Sequence, residues 1–101
     1  MTLSKIQLKY NDKAIKAGSL FLLAANDAIS FIEDCDSEGI KLLGVEGFKI
    51  TREGAFQPQQ EHSNDIVDSK SSDFVHETKE FIREREGMDI WFEAVFSENK
   101  K

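Results

Sequence analysis

Hydrophobic and polar positions divide this chain into segments of two periods. Ile6, Leu8 and Tyr10 alternate with Lys5, Gln7 and Lys9, and Asn11-Asp12 follows as a stop, so the pattern predicts a first strand. From Ser19, a candidate N-cap, the positions Phe21, Ala24, Ala25, Ala28, Ile32 and Cys35 fall on one helix face, and Gly39 ends the run. Leu20, Leu22, Leu23, Ile29 and Phe31 widen that stripe, which predicts a helix largely covered by its neighbours. Residues 40–50 are apolar on both faces in their first half and alternate in their second, the pattern of a central strand.

Arg52-Glu53-Gly54 is a turn signal, and Ala55-Phe56 opens a short return strand before Pro58, whose missing donor suits a sheet edge or a loop. Residues 57–72 then read as a polar loop of about fifteen residues anchored by Ile66 and Val67, a length that marks functional or disordered segments. Ser71 or Ser72 caps a second helix whose buried stripe is Phe74, Val75, Thr78, Phe81 and Ile82. Asp73 and Glu77 lie near its positive end, and Arg83 and Arg85 near its negative end. After Gly87, the even positions Met88, Ile90, Phe92, Ala94 and Phe96 alternate with the odd ones to give the clearest strand in the chain.

These elements predict an α+β domain, a two-layer sandwich of one three- or four-stranded sheet and two helices, spanning residues 1–101 as a single domain. Two helices cannot cover both sheet faces, so one face is expected to stay partly open. Trp91, on the odd face of the last strand between Asp89 and Glu93, reads there either as a binding hot spot or as a ring packed against a loop. Gly44 and Gly47 lack the third glycine of a dinucleotide fingerprint and the Lys-Ser/Thr of a phosphate loop. They read instead as a bulge or a close approach of another backbone in the central strand.

Composition narrows the chemistry. Of 101 residues 40% are hydrophobic and eight are Phe, which favours a packed core over disorder. No signal peptide is visible at the start, and the longest uncharged run, residues 17–26, is about half of what a bilayer-spanning helix needs, so a protein of the cytoplasm with no membrane partner is expected. The one cysteine, Cys35, cannot form an internal disulfide and lies on the apolar stripe of the first helix, where a thiol acts as a small hydrophobe. His62 and His76 show no metal-ligand spacing, so neither a metal nor another cofactor is expected.

The net charge is −6, and the segment 56–98 carries eleven acids against four bases. Phosphate binding needs a basic stripe, so nucleic acid is not the expected ligand, whereas a basic protein partner fits. The plainer reading is that the acids keep a small protein soluble. For catalysis, His62 between Glu61 and Asp65 is the one acid/base candidate. No nucleophile accompanies it at a recognisable motif, so the chain is not expected to be an enzyme, and a small enzyme with a site near His62 is the third reading behind two binding ones.

The alanine-containing helix ending at Gly39, the segment Leu43-Gly-Val-Glu-Gly47, the polar middle, the second amphipathic helix and the final aromatic strand together resemble the immunity proteins of tRNA-cleaving colicins and contact-dependent inhibition toxins. The resemblance covers roughly residues 24–96, and its one compact motif is the glycine segment. It implies a stoichiometric inhibitor that covers the basic RNA-binding cleft of a cognate nuclease toxin with acidic side chains, and Glu46 is the position that matches. Charge and exposure add Glu61, Asp65, Asp68 and Glu93 as phosphate stand-ins, and Phe56 and Trp91 as apolar anchors. The alternative is a cytosolic adaptor or assembly protein with no toxin partner. Either protein would be a monomer or a weak homodimer.

Overall fold

The computed structural model describes residues 4–66 and 73–97. Helix α1 (Lys5–Lys9) stands where alternation predicted a strand. Its cause is local: the Ser4 hydroxyl accepts from Gln7 N at 3.3 Å while Ser4 N donates to Gln7 Oε1 at 3.0 Å, a complete capping box. Ile6 and Tyr10, four residues apart, are buried, and Leu8 between them is 58% exposed, as a helix requires and a half-buried strand does not.

A hairpin follows, β1 (Ile15–Ala17) and β2 (Leu20–Leu22), joined by Gly18-Ser19. Gly18 takes a φ of 59°, the left-handed value that a two-residue hairpin turn asks of its first position. Ser19 is therefore a turn residue and not a helix cap. Helix α2 (Ala25–Ser37) starts later, at Ala24, without a side-chain cap. It ends as expected at Gly39, where φ is 73°. Ile40 N donates to Cys35 O at 2.8 Å and Gly39 N to Asp36 O at 3.2 Å, the two hydrogen bonds of a Schellman turn.

Strand β3 (Lys41–Ile50) is the centre of a three-stranded antiparallel sheet of order β4-β3-β5, with β4 (Phe56–Asp65) and β5 (Trp91–Ser97) on its flanks. The expected loop over 57–72 is thus a ten-residue strand as far as Asp65, and Pro58 sits on the sheet edge, where its missing donor is tolerated. Helix α3 (Phe74–Arg83) is capped by Asp73, whose carboxylate accepts from His76 N at 3.1 Å; Ser71 and Ser72, the expected caps, lie outside the described residues. Met88 is 47% exposed and precedes β5 rather than opening it.

Helices α2 and α3 pack on one face of the sheet, in a core that joins Phe31, Ile32, Cys35 and Ile82 to Leu42, Val45 and Phe92. Phe31 centres an aromatic chain, 5.3 Å from Tyr10, 5.6 Å from Phe96 and 6.3 Å from Phe21 between ring centroids. The hairpin extends the sheet beyond β5: Leu23 and Phe92 exchange both backbone bonds at 2.8 Å. The architecture is the α+β two-layer arrangement expected, with a hairpin and a short helix added. Among the described residues, no helix is long and apolar enough to cross a membrane.

Candidate functional site

Both glycines of the central strand mark irregular pairing, as anticipated. At Gly44 a bulge sets Leu43 and Gly44 opposite Val95 alone, and at Gly47 the partner strand leaves register. Gly47 pairs with Gln59 and Val45 with Asn64, so residues 60–63 of β4 oppose the single residue Glu46. Ser63 closes this excursion. Its hydroxyl accepts from Gly47 N at 3.2 Å and donates to Gln59 O at 2.9 Å, replacing the lost ladder bond. The backbones approach so closely that a Cβ on Gly44 would lie 2.6 Å from Asn64 O, and one on Gly47 2.5 Å from His62 O.

The pairing register assigns the side chains of the face opposite the helices. In successive rows across the strands it carries Phe56 and Ile50, then Pro58, Phe48 and Trp91, then Glu46 and Glu93, then Asp65, Gly44 and Val95. Phe48 is buried, yet it stands outside the helix-side core, flanked in register by Pro58 and Trp91. No described helix packs on this side. A concavity of about 620 Å³ opens there, lined by Gly44, Glu46, Pro58, Gln60, Asp65 and Val95. A second, of about 430 Å³, borders Trp91 at the start of α2 and includes Asp27, Glu86 and Asp89.

Five of the seven residues singled out from the sequence therefore share one face: Glu46, Phe56, Asp65, Trp91 and Glu93. Glu61 lies in the excursion with its side chain 73% exposed, 3.9 Å from His62 Nε2, and Asp68 lies outside the described residues. Sequence reasoning missed Phe48, Ile50 and Pro58 as members of the face. The alternation of residues 47–50 could have placed Phe48 opposite Pro58 once Ile50 was paired with Phe56.

Glu93 does more than face outward. One of its oxygens accepts from Phe21 N at 2.9 Å and so ties the hairpin to β5. Burial pushes its carboxyl above the ordinary glutamate value, the Phe21 bond opposes that rise, and the Glu46 carboxylate across the strand adds to it. Several cations pair with acids away from this face, among them Lys9 with Glu38 at 2.6 Å, Lys79 with Glu33 at 3.3 Å and Arg83 with Glu80 at 3.2 Å. The base on the face, Lys41, sits at its far end opposite Ser97.

His62, the acid/base candidate, is turned under α3 and is not on a free polar loop. Its ring is 12% exposed, and Nδ1 accepts from Arg85 Nε at 3.0 Å. Arg85 stacks on Phe81, 3.6 Å from the ring centroid, and donates to Phe81 O at 2.9 Å. Beside it, Asn64 donates to Glu77 at 3.1 Å and to the buried Thr78 hydroxyl at 3.4 Å. These contacts join the polar strand β4 to the helix. Cys35 is fully buried, its thiol pushed up to about 12 chiefly by burial, and among the described residues no group of His, Cys, Asp and Glu is arranged to hold a metal.

Fold and face together define a class: a small α+β domain with one sheet face covered by helices and the other, apolar and acidic, uncovered by any helix among the described residues. Comparison with protein-family models, with curated proteins and with solved structures returns no match for this chain.

Proposed function

We propose that this protein is an acidic protein-binding module of the cytoplasm, an immunity protein that neutralises a basic nuclease toxin by covering its RNA-binding cleft. The observation that carries the reading is the open face itself, where the Glu46–Glu93 carboxylate pair adjoins the row Pro58, Phe48 and Trp91. Interfaces concentrate their energy in such aromatic centres, and carboxylates around them steer a basic partner and fix its register. The resemblance of Leu43-Gly-Val-Glu-Gly47 to immunity proteins supplies the class of partner, and Glu46 of that segment projects from the face. A nuclease cleft is basic because it binds phosphates, so carboxylates beside aromatic rings stand in for a nucleotide strand.

The test is co-expression with the product of the adjacent gene. The expected result is a one-to-one complex that salt dissociates and in which RNA cleavage is blocked. A neighbour that is no nuclease, or one whose RNA cleavage continues with this protein bound, would reject the toxin reading. Binding of a resident cellular protein through the same face would instead identify an adaptor.

A further inference from the structure

We propose, resting on the protein-binding reading above, that the open face takes an arginine side chain of its partner, with the guanidinium lying on Trp91 and its N–H groups on the Glu46 and Glu93 carboxylates. Trp91 pairs across the sheet with Phe48, and Glu93 with Glu46, so the two pairs occupy neighbouring rows of one face. Same-face neighbours along a strand are about 6.7 Å apart, and paired residues across strands about 5 Å. An aromatic plane and two acceptors thus fall within the reach of one forked, planar donor group.

Several features select arginine over other occupants. The guanidinium is weakly hydrated, stacks on indole and donates to two acceptors at once, whereas a lysine ammonium is a strongly hydrated point charge that gains little from a flat ring. Phe48, the register partner of Trp91 on the central strand, is itself buried, so an apolar row already stands in the folded face beside the indole position. Glu46 and Glu93 pair in register across the strands, neither makes an ion pair among the described residues, and Glu93 is partly desolvated, so an added cation relieves a repulsion that the free protein sustains. A second copy of this chain is a poor occupant, because a symmetric contact through this face would set acids against acids. The partner of matching chemistry is an arginine-presenting basic protein surface.

Trp91 is the only tryptophan of the chain, so its fluorescence reports directly on this face. Titration at low salt with capped tetra-arginine and capped tetra-lysine peptides is expected to change Trp91 emission with both, the arginine peptide binding roughly five times more tightly. Converting Glu46→Gln and Glu93→Gln together should remove that preference. In 15N spectra the shifts should centre on residues 46, 48, 91 and 93, and Trp91→Leu, checked as folded by the same spectra, should lower arginine-peptide affinity to that of lysine. Equal affinity for the two peptides, absence of binding, or shifts centred on the Asp27, Glu86 and Asp89 concavity would overturn the proposal. The outcomes separate from those of the toxin test. Arginine selectivity without a nuclease partner leaves the face standing and rejects the toxin, whereas nuclease binding unaffected by the face variants does the reverse.

Discussion

Substituting alanine for Gly47 places a methyl group where two strands touch. The new carbon would sit 2.5 Å from His62 O, 2.8 Å from His62 Cβ and 3.0 Å from Ile90 Cγ2. Ordinary contact begins near 3.4 Å, so the His62 carbonyl would have to retreat by about 0.9 Å, and it is main chain held on both sides. The Ser63 hydroxyl ties the excursion to Gly47 N and Gln59 O, and Arg85 holds the His62 ring. Forced overpacking costs about 1–3 kcal/mol, and loosening one such hydrogen bond about 1 kcal/mol, so a total of about 3 kcal/mol is expected. In a domain of this size that corresponds to a fall in Tm of roughly 10–20 °C. Urea unfolding followed by Trp91 fluorescence measures it, with Gly54→Ala as the control. Gly54 has a φ of 82° and nothing within 4 Å, so its cost is backbone strain alone, about 1–2 kcal/mol. Adding His62→Ala to Gly47→Ala should recover little, because the nearest atom is a backbone oxygen. A Gly47→Ala variant no less stable than the Gly54→Ala control would refute the close-approach account of the glycine segment.

Glu93→Gln should stabilise the fold by about 0.5 kcal/mol at pH 7, since the amide oxygen still accepts from Phe21 N while the repulsion from Glu46 disappears. Because the folded-state pKa of Glu93 lies above its unfolded value, its stability contribution is greatest on the acid side and falls as pH rises through that window. The variant should flatten this slope in urea unfolding, and a less stable variant would show that the ionised carboxylate's bond to Phe21 dominates. Tyr10→Phe keeps the ring against Phe31 but removes the 2.6 Å bond to Asp34, and should cost about 1.5 kcal/mol by the same measurement. Burial and Asp34 raise the Tyr10 pKa, so the folded state holds that proton longer and stability should decline as pH climbs above about 10. Cys35 should resist a thiol reagent in native buffer and react on unfolding in urea; labelling of the folded protein would contradict its burial.

The elements legible in the sequence are those whose period is set by one buried face. Helix α3 shows its stripe and β5 its alternation, because each lays apolar residues on the common core and polar ones elsewhere. The segment Ile6–Tyr10 defeats that logic, since periods of 2 and 3.6 both put positions 6 and 10 on one side and only Leu8 tells them apart. The Ser4 and Gln7 capping box was the decisive signal, written in the sequence as Ser-x-x-Gln. Leu20 to Leu23 merged with the helix behind them because a buried strand and a buried helix are equally apolar. Strand β4 has no apolar period at all: on its helix side it presents His62 and Asn64 to Arg85, Glu77 and Thr78, an exchange between polar groups far apart in the chain. The candidate face was legible where charge and a lone tryptophan marked it, and hidden where its members came from β4.

The glycine segment separates what holds the fold from what meets a partner, and that separation is testable at Glu46. Gly44 and Gly47 give up their side chains so that β4 can lie close: Asn64 O fills the space at one and His62 O at the other. Glu46 between them is exposed, opposes the excursion on one side and Glu93 on the other, and has no basic neighbour in register. Nothing in the packing needs a carboxylate there, and its charge raises the cost of ionising Glu93. Glu46→Lys should therefore leave stability within about 0.5 kcal/mol of the parent or improve it, by pairing with Glu93 across the strand. If the open face is the docking surface, the same change should slow association with a basic partner and weaken its salt dependence, because it removes a steering charge, and should speed release, because it removes an acceptor from the partner's guanidinium. Stopped-flow binding at two ionic strengths, set beside urea unfolding, reads both effects. A variant that unfolds readily would assign Glu46 to the fold, and one that binds its basic partner at the parental rate would remove the face from the interface.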